Sequence, residues 1–290
     1  MRKRASALGA VAVVLALLAS LVGMPSAGAA GESYVALGDS FTAGPLIPNQ
    51  VLIPLGCLRS DRDYPRVTAA QLGVSLRDVS CSGAKTDHMT APQDVDLGPN
   101  PPQMDALEAG TRIVSIGIGG NDIGFSEIIQ GCATANPFGS PCRSKYVVNG
   151  VDTISQRISA TAPKVAAVLA AIRARSPQAR IYVVGYPAIL PDSGIGCWPS
   201  MPIAWNDVSY LRAKEKELNS MLAGRAAAAG AFYVDTYTPS IGKDTCASSS
   251  TRWVEPIVPA NAAAPVHPNA RGMAGMGGVL TARINATGGR

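Results

Sequence analysis

Short runs of β-branched and apolar residues recur along the chain and are separated by longer helix-forming stretches. Four runs read as strands: Tyr34–Leu37, Arg112–Ile118, Arg180–Gly185 and Ala231–Asp235. Four stretches read as helices: Tyr64–Leu72, Asp152–Arg175, Asp207–Ala229 and Asn269 to about Asn285. Asp152 and Asp207 are expected N-caps, and Gly230 an expected C-cap. The fourth helix carries Gly272, Gly275, Gly277 and Gly278, each of which lowers its helix propensity.

Strands alternating with helices of this length predict a mostly parallel sheet covered on both faces. In such sheets ligands bind beyond the carboxyl ends of the strands. The segments that follow the strands are therefore the candidates for function: Gly38-Asp-Ser40, Gly119-Gly-Asn-Asp122, Tyr186-Pro187 and the loop after Asp235. Irregular stretches rich in Pro and Gly, 45–62, 131–150 and 186–202, are expected at the same edge. No repeat or linker interrupts residues 31–290, which read as a single domain.

Residues 1–30 read differently. A basic start, Met1-Arg-Lys-Arg4, precedes an apolar run from Ala10 to Val22, and Met24–Ala30 then supplies the small residues of a signal-peptidase site. The apolar run is too short for a membrane span, and no second run of about 18 apolar residues follows. The expectation is a secreted, extracellular protein without a stable membrane anchor. Beyond residue 30, 22 basic residues face 20 acidic ones, a net charge of +2 that argues against a nucleic-acid partner. Six cysteines, Cys57, Cys81, Cys132, Cys142, Cys197 and Cys246, read in an exported chain as three disulfides. Fifteen pairings are possible, and the order along the chain favours local ones.

Several chemistries are excluded by what is missing. Only His88 and His267 are histidines, so no His-rich metal motif exists, and no cysteines stand at C-x-x-C spacing. There is no phosphate loop, and Gly117-Ile-Gly-Gly-Asn121 lacks the third glycine of a dinucleotide loop because Asp122 stands there. Gly38-Asp-Ser-Phe-Thr42 begins like a G-x-S-x-G elbow but ends in Thr. Ser40 remains, a serine at a strand-to-helix turn, which needs an adjacent base to become nucleophilic. His267, in Pro265-Val-His-Pro268, is the expected base, and Pro268 restricts its backbone. His88 reads as a structural or exposed residue. Gly83, in Cys81-Ser-Gly-Ala84, and the side-chain amide of Asn121 are expected to join the Ser40 N–H as oxyanion donors.

Taken in order, Gly38-Asp-Ser40 with Phe41, then Gly83, then Gly119-Gly-Asn-Asp122, then His267 resemble the SGNH (GDSL) hydrolase family. The likeness covers essentially all of residues 31–290. It extends to secreted actinobacterial (Streptomyces-type) lipases and esterases in Cys57-Leu-Arg-Ser60, Tyr64-Pro65 and the Trp253–Asn269 region. The resemblance implies a flavodoxin-like α/β fold, a three-layer α/β/α sandwich with a five-stranded parallel sheet, and no metal or cofactor. It implies sequential disulfides, Cys57–Cys81, Cys132–Cys142 and Cys197–Cys246. It also implies Ser40 as nucleophile, His267 as base, and Ser40, Gly83 and Asn121 as the oxyanion hole.

Most members carry an Asp three residues before the histidine, where this chain has Ala264. The expectation is therefore a Ser–His dyad in which the Ala264 carbonyl orients His267, with Asp235 as the one substitute acid. The expected substrate is a fatty-acid ester, a medium-chain acylglycerol. Apolar segments support this: Pro45–Pro48, Val51–Leu55, Ile189-Leu190, Trp198, Met201, Ile203 and Trp205. A phospholipid, a sugar acetyl ester, or a non-catalytic binding module on the same fold are the alternatives, and a monomer is expected.

Overall fold

The computed structural model describes residues 33–288, so the expected export segment, 1–30, lies outside the described residues. In chain order the elements are β1 (Ser33–Gly38), α1 (Ser40–Ala43), α2 (Tyr64–Leu72), β2 (Ser75–Asp78) and β3 (Ile113–Gly117). There follow α3 (Phe125–Cys132), α4 (Pro141–Tyr146), β4 (Val147–Val148), β5 (Val151–Asp152) and α5 (Thr153–Arg175). The chain continues through β6 (Arg180–Val184), α6 (Trp205–Ala228), β7 (Phe232–Val234) and α7 (Ala270–Ala286). Five strands form one parallel sheet in the order β2-β1-β3-β6-β7, while β4 and β5 make a small antiparallel hairpin.

The central strands are buried along nearly their whole length, which is why they appear in the sequence as unbroken apolar runs. Helices α2 and α7 pack together in one layer and α5 and α6 in the other, giving the α/β/α sandwich. The strand order reverses at β1, whose neighbours are β2 on one side and β3 on the other. β1 and β3 run in register from Tyr34 opposite Ile113 to Gly38 opposite Gly117, so their carboxyl ends finish level at that switch point.

Edge strand β2 has a different composition. Ser-Leu-Arg-Asp alternates exposed and half-buried positions and carries no apolar run. Its end is fixed electrostatically: Arg66 on α2 bonds both Asp63, the N-cap of α2, and, at 2.7 Å, Asp78.

The caps are partly as expected. Asp152 caps α5 by accepting from the N–H groups of Ile154 and Ser155. Gly230 follows the end of α6 at φ 61°, a left-handed conformation that glycine adopts freely. Asp207, expected as an N-cap, lies inside the first turn of α6, whose cap is Ala204. Its buried carboxylate accepts instead from the N–H groups of Cys142 and Arg143, both at 2.9 Å, and so satisfies the open end of the neighbouring α4.

Helix α7 carries glycine at three packing positions, the first being Gly272, where a Cβ would lie 2.3 Å from the Trp253 carbonyl oxygen. A Cβ on Gly275 would lie 2.1 Å from the Trp253 ring, and one on Gly277 would lie 2.7 Å from Val67 on α2. The three disulfides pair sequentially, Cys57–Cys81, Cys132–Cys142 and Cys197–Cys246. No helix among the described residues is long and apolar enough to cross a membrane.

These contacts give α7 glycines opposite signs under substitution. Gly275→Ala is expected to destabilise the fold by about 1–3 kcal/mol through overpacking against Trp253. Gly278→Ala, where a Cβ meets nothing within 4 Å, is expected to stabilise by about 0.5–1 kcal/mol. Urea unfolding of the two variants checks both signs.

Candidate active site

Ser40 opens α1 directly beyond the carboxyl end of β1. The turn is built around Gly38, at φ 152°, where a Cβ would lie 2.2 Å from Thr42 Oγ1. The Gln103 side chain grips both sides of the Gly38 residue, accepting from its N–H at 2.7 Å and donating to its carbonyl at 2.9 Å. Asp39 is the N-cap of α1 and accepts from the Phe41 N–H at 2.9 Å. Ser40 is thus delivered by a turn with little freedom, and no protein group among the described residues accepts from its N–H.

His267 reaches that serine from 227 residues away, with Nε2 2.8 Å from Ser40 Oγ. Its Nδ1 lies 2.8 Å from the carbonyl oxygen of Pro265, which fixes the tautomer: Nδ1 carries the proton and donates, and Nε2 is free to accept. The orienting carbonyl is therefore not that of Ala264. The Ala264 carbonyl closes a turn by accepting the His267 backbone N–H at 3.2 Å, and Val266 sits within that turn at φ 58°. The turn leaves the Pro265 carbonyl, one residue later, facing the ring. Burial pushes the His267 pKa below its usual 6.5, against the smaller opposing effect of the Pro265 carbonyl.

The loop that presents His267 rests on Glu255, which no motif in the sequence singled out. Its buried carboxylate accepts from Ala260 N–H, Asn261 N–H and side-chain amides of Asn261 and Asn269, while its own N–H donates to the His267 carbonyl at 3.0 Å. Asn269 in turn caps α7. A lone acid flanked by Trp253-Val254 and Pro256-Ile257 was the available signal. Phe41, next to Ser40, lies 4.9 Å from the His267 ring, centroid to centroid, and backs it.

Asn121 lines the same small cavity as Ser40 and His267. Its amide donates one hydrogen to the Ala84 carbonyl at 2.9 Å, which ties the end of β3 to the turn of Gly83. Gly83 adopts φ 78°, and its N–H has no acceptor among the described residues. Asp235 is not brought to the histidine: its carboxylate is taken up by the N–H groups of Tyr237 and Thr238 and by the Thr238 hydroxyl. His88 also lies apart, with Nδ1 accepting from the Lys85 N–H.

A model of the GDSL-like lipase/acylhydrolase family matches residues 36–274, a span that includes each of these positions. The chain belongs to that family. Lipase 2 of Streptomyces coelicolor is 40% identical over 249 residues, covering 82% of this chain and 81% of the relative. Among solved structures, phospholipase A1 from Streptomyces albidoflavus NA297 superposes with a TM-score of 0.74 at 27% identity, over 88% of this chain and all of the other. The extracellular lipase of Streptomyces rimosus gives 0.73 at 27%, over 87% and 100%. The enzyme class follows with the family: this is a carboxylic ester hydrolase.

In this GDSL-family hydrolase a second, apolar pocket adjoins the Ser40 cavity and shares Gly120, Phe125 and Tyr186 with it. Ile123, Ile128, Ile154, Ile189, Leu190 and Leu218 contribute to its walls. Ile189 and Leu190 thus stand where an apolar loop was expected. The other apolar segments do not line this pocket: Met201 and Ile203 are core, while Leu52 and Ile53 are 72% and 83% exposed.

The direction of the His267 shift is directly measurable, since the chain has only two histidines. NMR titration, with His88→Gln for assignment, is expected to return a pKa below 6.5 for His267. A value above 7 is incompatible with the buried, carbonyl-bonded ring described here.

Proposed function

We propose that this protein is an exported hydrolase that cleaves fatty-acyl esters through an acyl-enzyme on Ser40, with His267 and a backbone carbonyl in place of a full triad. The observation that carries this is the Ser40 Oγ–His267 Nε2 contact of 2.8 Å, with Nδ1 held by the Pro265 carbonyl. A neutral Nε2 accepts the hydroxyl proton as Oγ attacks the ester carbon, then passes it to the departing alcohol oxygen. Water, deprotonated by the same nitrogen, releases the carboxylic acid and regenerates Ser40.

The tetrahedral oxyanion is assigned to the N–H groups of Ser40 and Gly83 and to the remaining amide hydrogen of Asn121. The two backbone donors carry no competing acceptor among the described residues, which supports that role. The adjoining apolar pocket is assigned to the acyl chain, and medium-chain esters are the proposed substrates. Phospholipids are the second reading, favoured by the likeness to the Streptomyces albidoflavus phospholipase A1. An acetyl ester would leave the pocket empty, and a non-catalytic role is hard to reconcile with an unobstructed Ser–His contact.

The test is hydrolysis of p-nitrophenyl esters from C2 to C16 and of phosphatidylcholine by residues 31–290, beside Ser40→Ala and His267→Ala. Turnover is expected to peak at intermediate chain length, and each variant to lose at least about 10⁴-fold in kcat. Ser40→Ala with wild-type turnover would sink the mechanism. An optimum at acetyl would remove the acyl assignment of the pocket.

A further inference from the structure

Tyr186 follows β6, next to β3 in the sheet, and its side chain is buried. Its hydroxyl stands between two other strand ends. It donates to Asp39 Oδ2 at 2.6 Å and accepts from the Gly120 N–H at 2.8 Å. Asp39 immediately precedes Ser40, and Gly120 immediately precedes Asn121. One oxygen atom therefore joins the residue before the nucleophile to the residue before the oxyanion amide.

The tyrosine is itself held on all sides. Asn219, buried on α6, accepts from the Tyr186 N–H at 2.8 Å and donates to its carbonyl at 2.9 Å. The ring meets Phe41 edge-on at 5.1 Å, and Phe41 backs His267. A Cβ at position 120 would lie 2.9 Å from the hydroxyl, so a larger residue there must displace the tyrosine.

We infer that Tyr186 is a positioning residue for ester hydrolysis, whose hydroxyl sets the spacing between the Ser40 nucleophile and the Asn121 donor. The inference rests on the reaction proposed above. Preorganised donors act on a developing oxyanion only when held within a fraction of an ångström of the required place, so the spacing bears on kcat rather than on substrate binding.

The same hydroxyl also acts on a charge. Burial drives the Asp39 carboxyl up to about 7, while the hydrogen bonds from Tyr186 and the Phe41 N–H hold it down and Asp122 adds to the rise. Tyr64 from α2 also acts on Asp39, His267 lines the same cavity, and Asp122 has Lys164 from α5 at 4.0 Å. Removing the Tyr186 hydroxyl takes away a donor that favours the charged carboxylate, so Asp39 then holds its proton to higher pH.

Tyr186→Phe removes one oxygen and keeps the ring. On a soluble ester it is expected to lower kcat by about 10–100-fold with KM within about twofold. The acid limb of its kcat–pH profile is expected to move to higher pH. Asp39→Asn removes the titration altogether, and its limb is expected to move to lower pH, leaving His267 alone. A Tyr186→Phe enzyme with wild-type kcat and limb overturns the inference. So does a loss that tracks the unfolded fraction, read by circular dichroism, with an unmoved limb. A wild type inactive on every ester would sink the hydrolase reading and this inference together, whereas an active wild type beside an unaltered Tyr186→Phe sinks the inference alone.

Discussion

A neutral imidazole has to present one nitrogen to Ser40 while no carboxylate bonds to the other among the described residues. A carbonyl oxygen fixes the tautomer as an acid would, but offers only a partial charge to the imidazolium that the proposed mechanism requires. Orientation must then come from rigidity. The His267 segment pairs with 253–256 through backbone hydrogen bonds, and Glu255 gathers the loop beneath it. Val266 is held in a left-handed conformation that costs a β-branched residue on the order of 1–3 kcal/mol. The surrounding network has to offset that strain.

The sheet supplies the other half of the arrangement. At the switch point β1 and β3 end level, so Ser40 and Asn121 leave the sheet side by side, each over a glycine that lets the backbone close in. The groups that steady them come from further strands: Gln103 grips Gly38 ahead of β3, and Tyr186 reaches across from the end of β6. The side chains of Gln103, Asn121 and Tyr186 at this edge each bond backbone groups.

What the sequence made legible follows physical lines. Strands β1, β3 and β6 are buried on both faces and so appear as apolar runs, whereas β2, an edge strand fixed by Asp78 and Arg66, leaves no such trace. The meeting of Ser40 with His267 was readable because the chain offers so few histidines and places the serine behind a clean strand. The orienting carbonyl fell one residue away because nothing about a valine announces a positive φ. Asp207 has the composition of a cap but serves a helix 64 residues earlier, a tertiary relation that local pattern does not contain. Apolar loop residues misled in the same way: hydropathy identified Leu52 and Ile53 but not that they face solvent.

The 227-residue separation between Ser40 and His267 has a consequence for biosynthesis. The base arrives only when the segment before α7 is in place, and α7 is seated on α2, where the Thr68 hydroxyl donates to the Gly277 carbonyl at 3.2 Å. A chain still being synthesised can have Ser40, the Gly83 turn and the five strands of its sheet, and still lack the histidine proposed to accept the serine proton. On the proposed mechanism, ester hydrolysis therefore begins only after the segment carrying His267 has joined the fold.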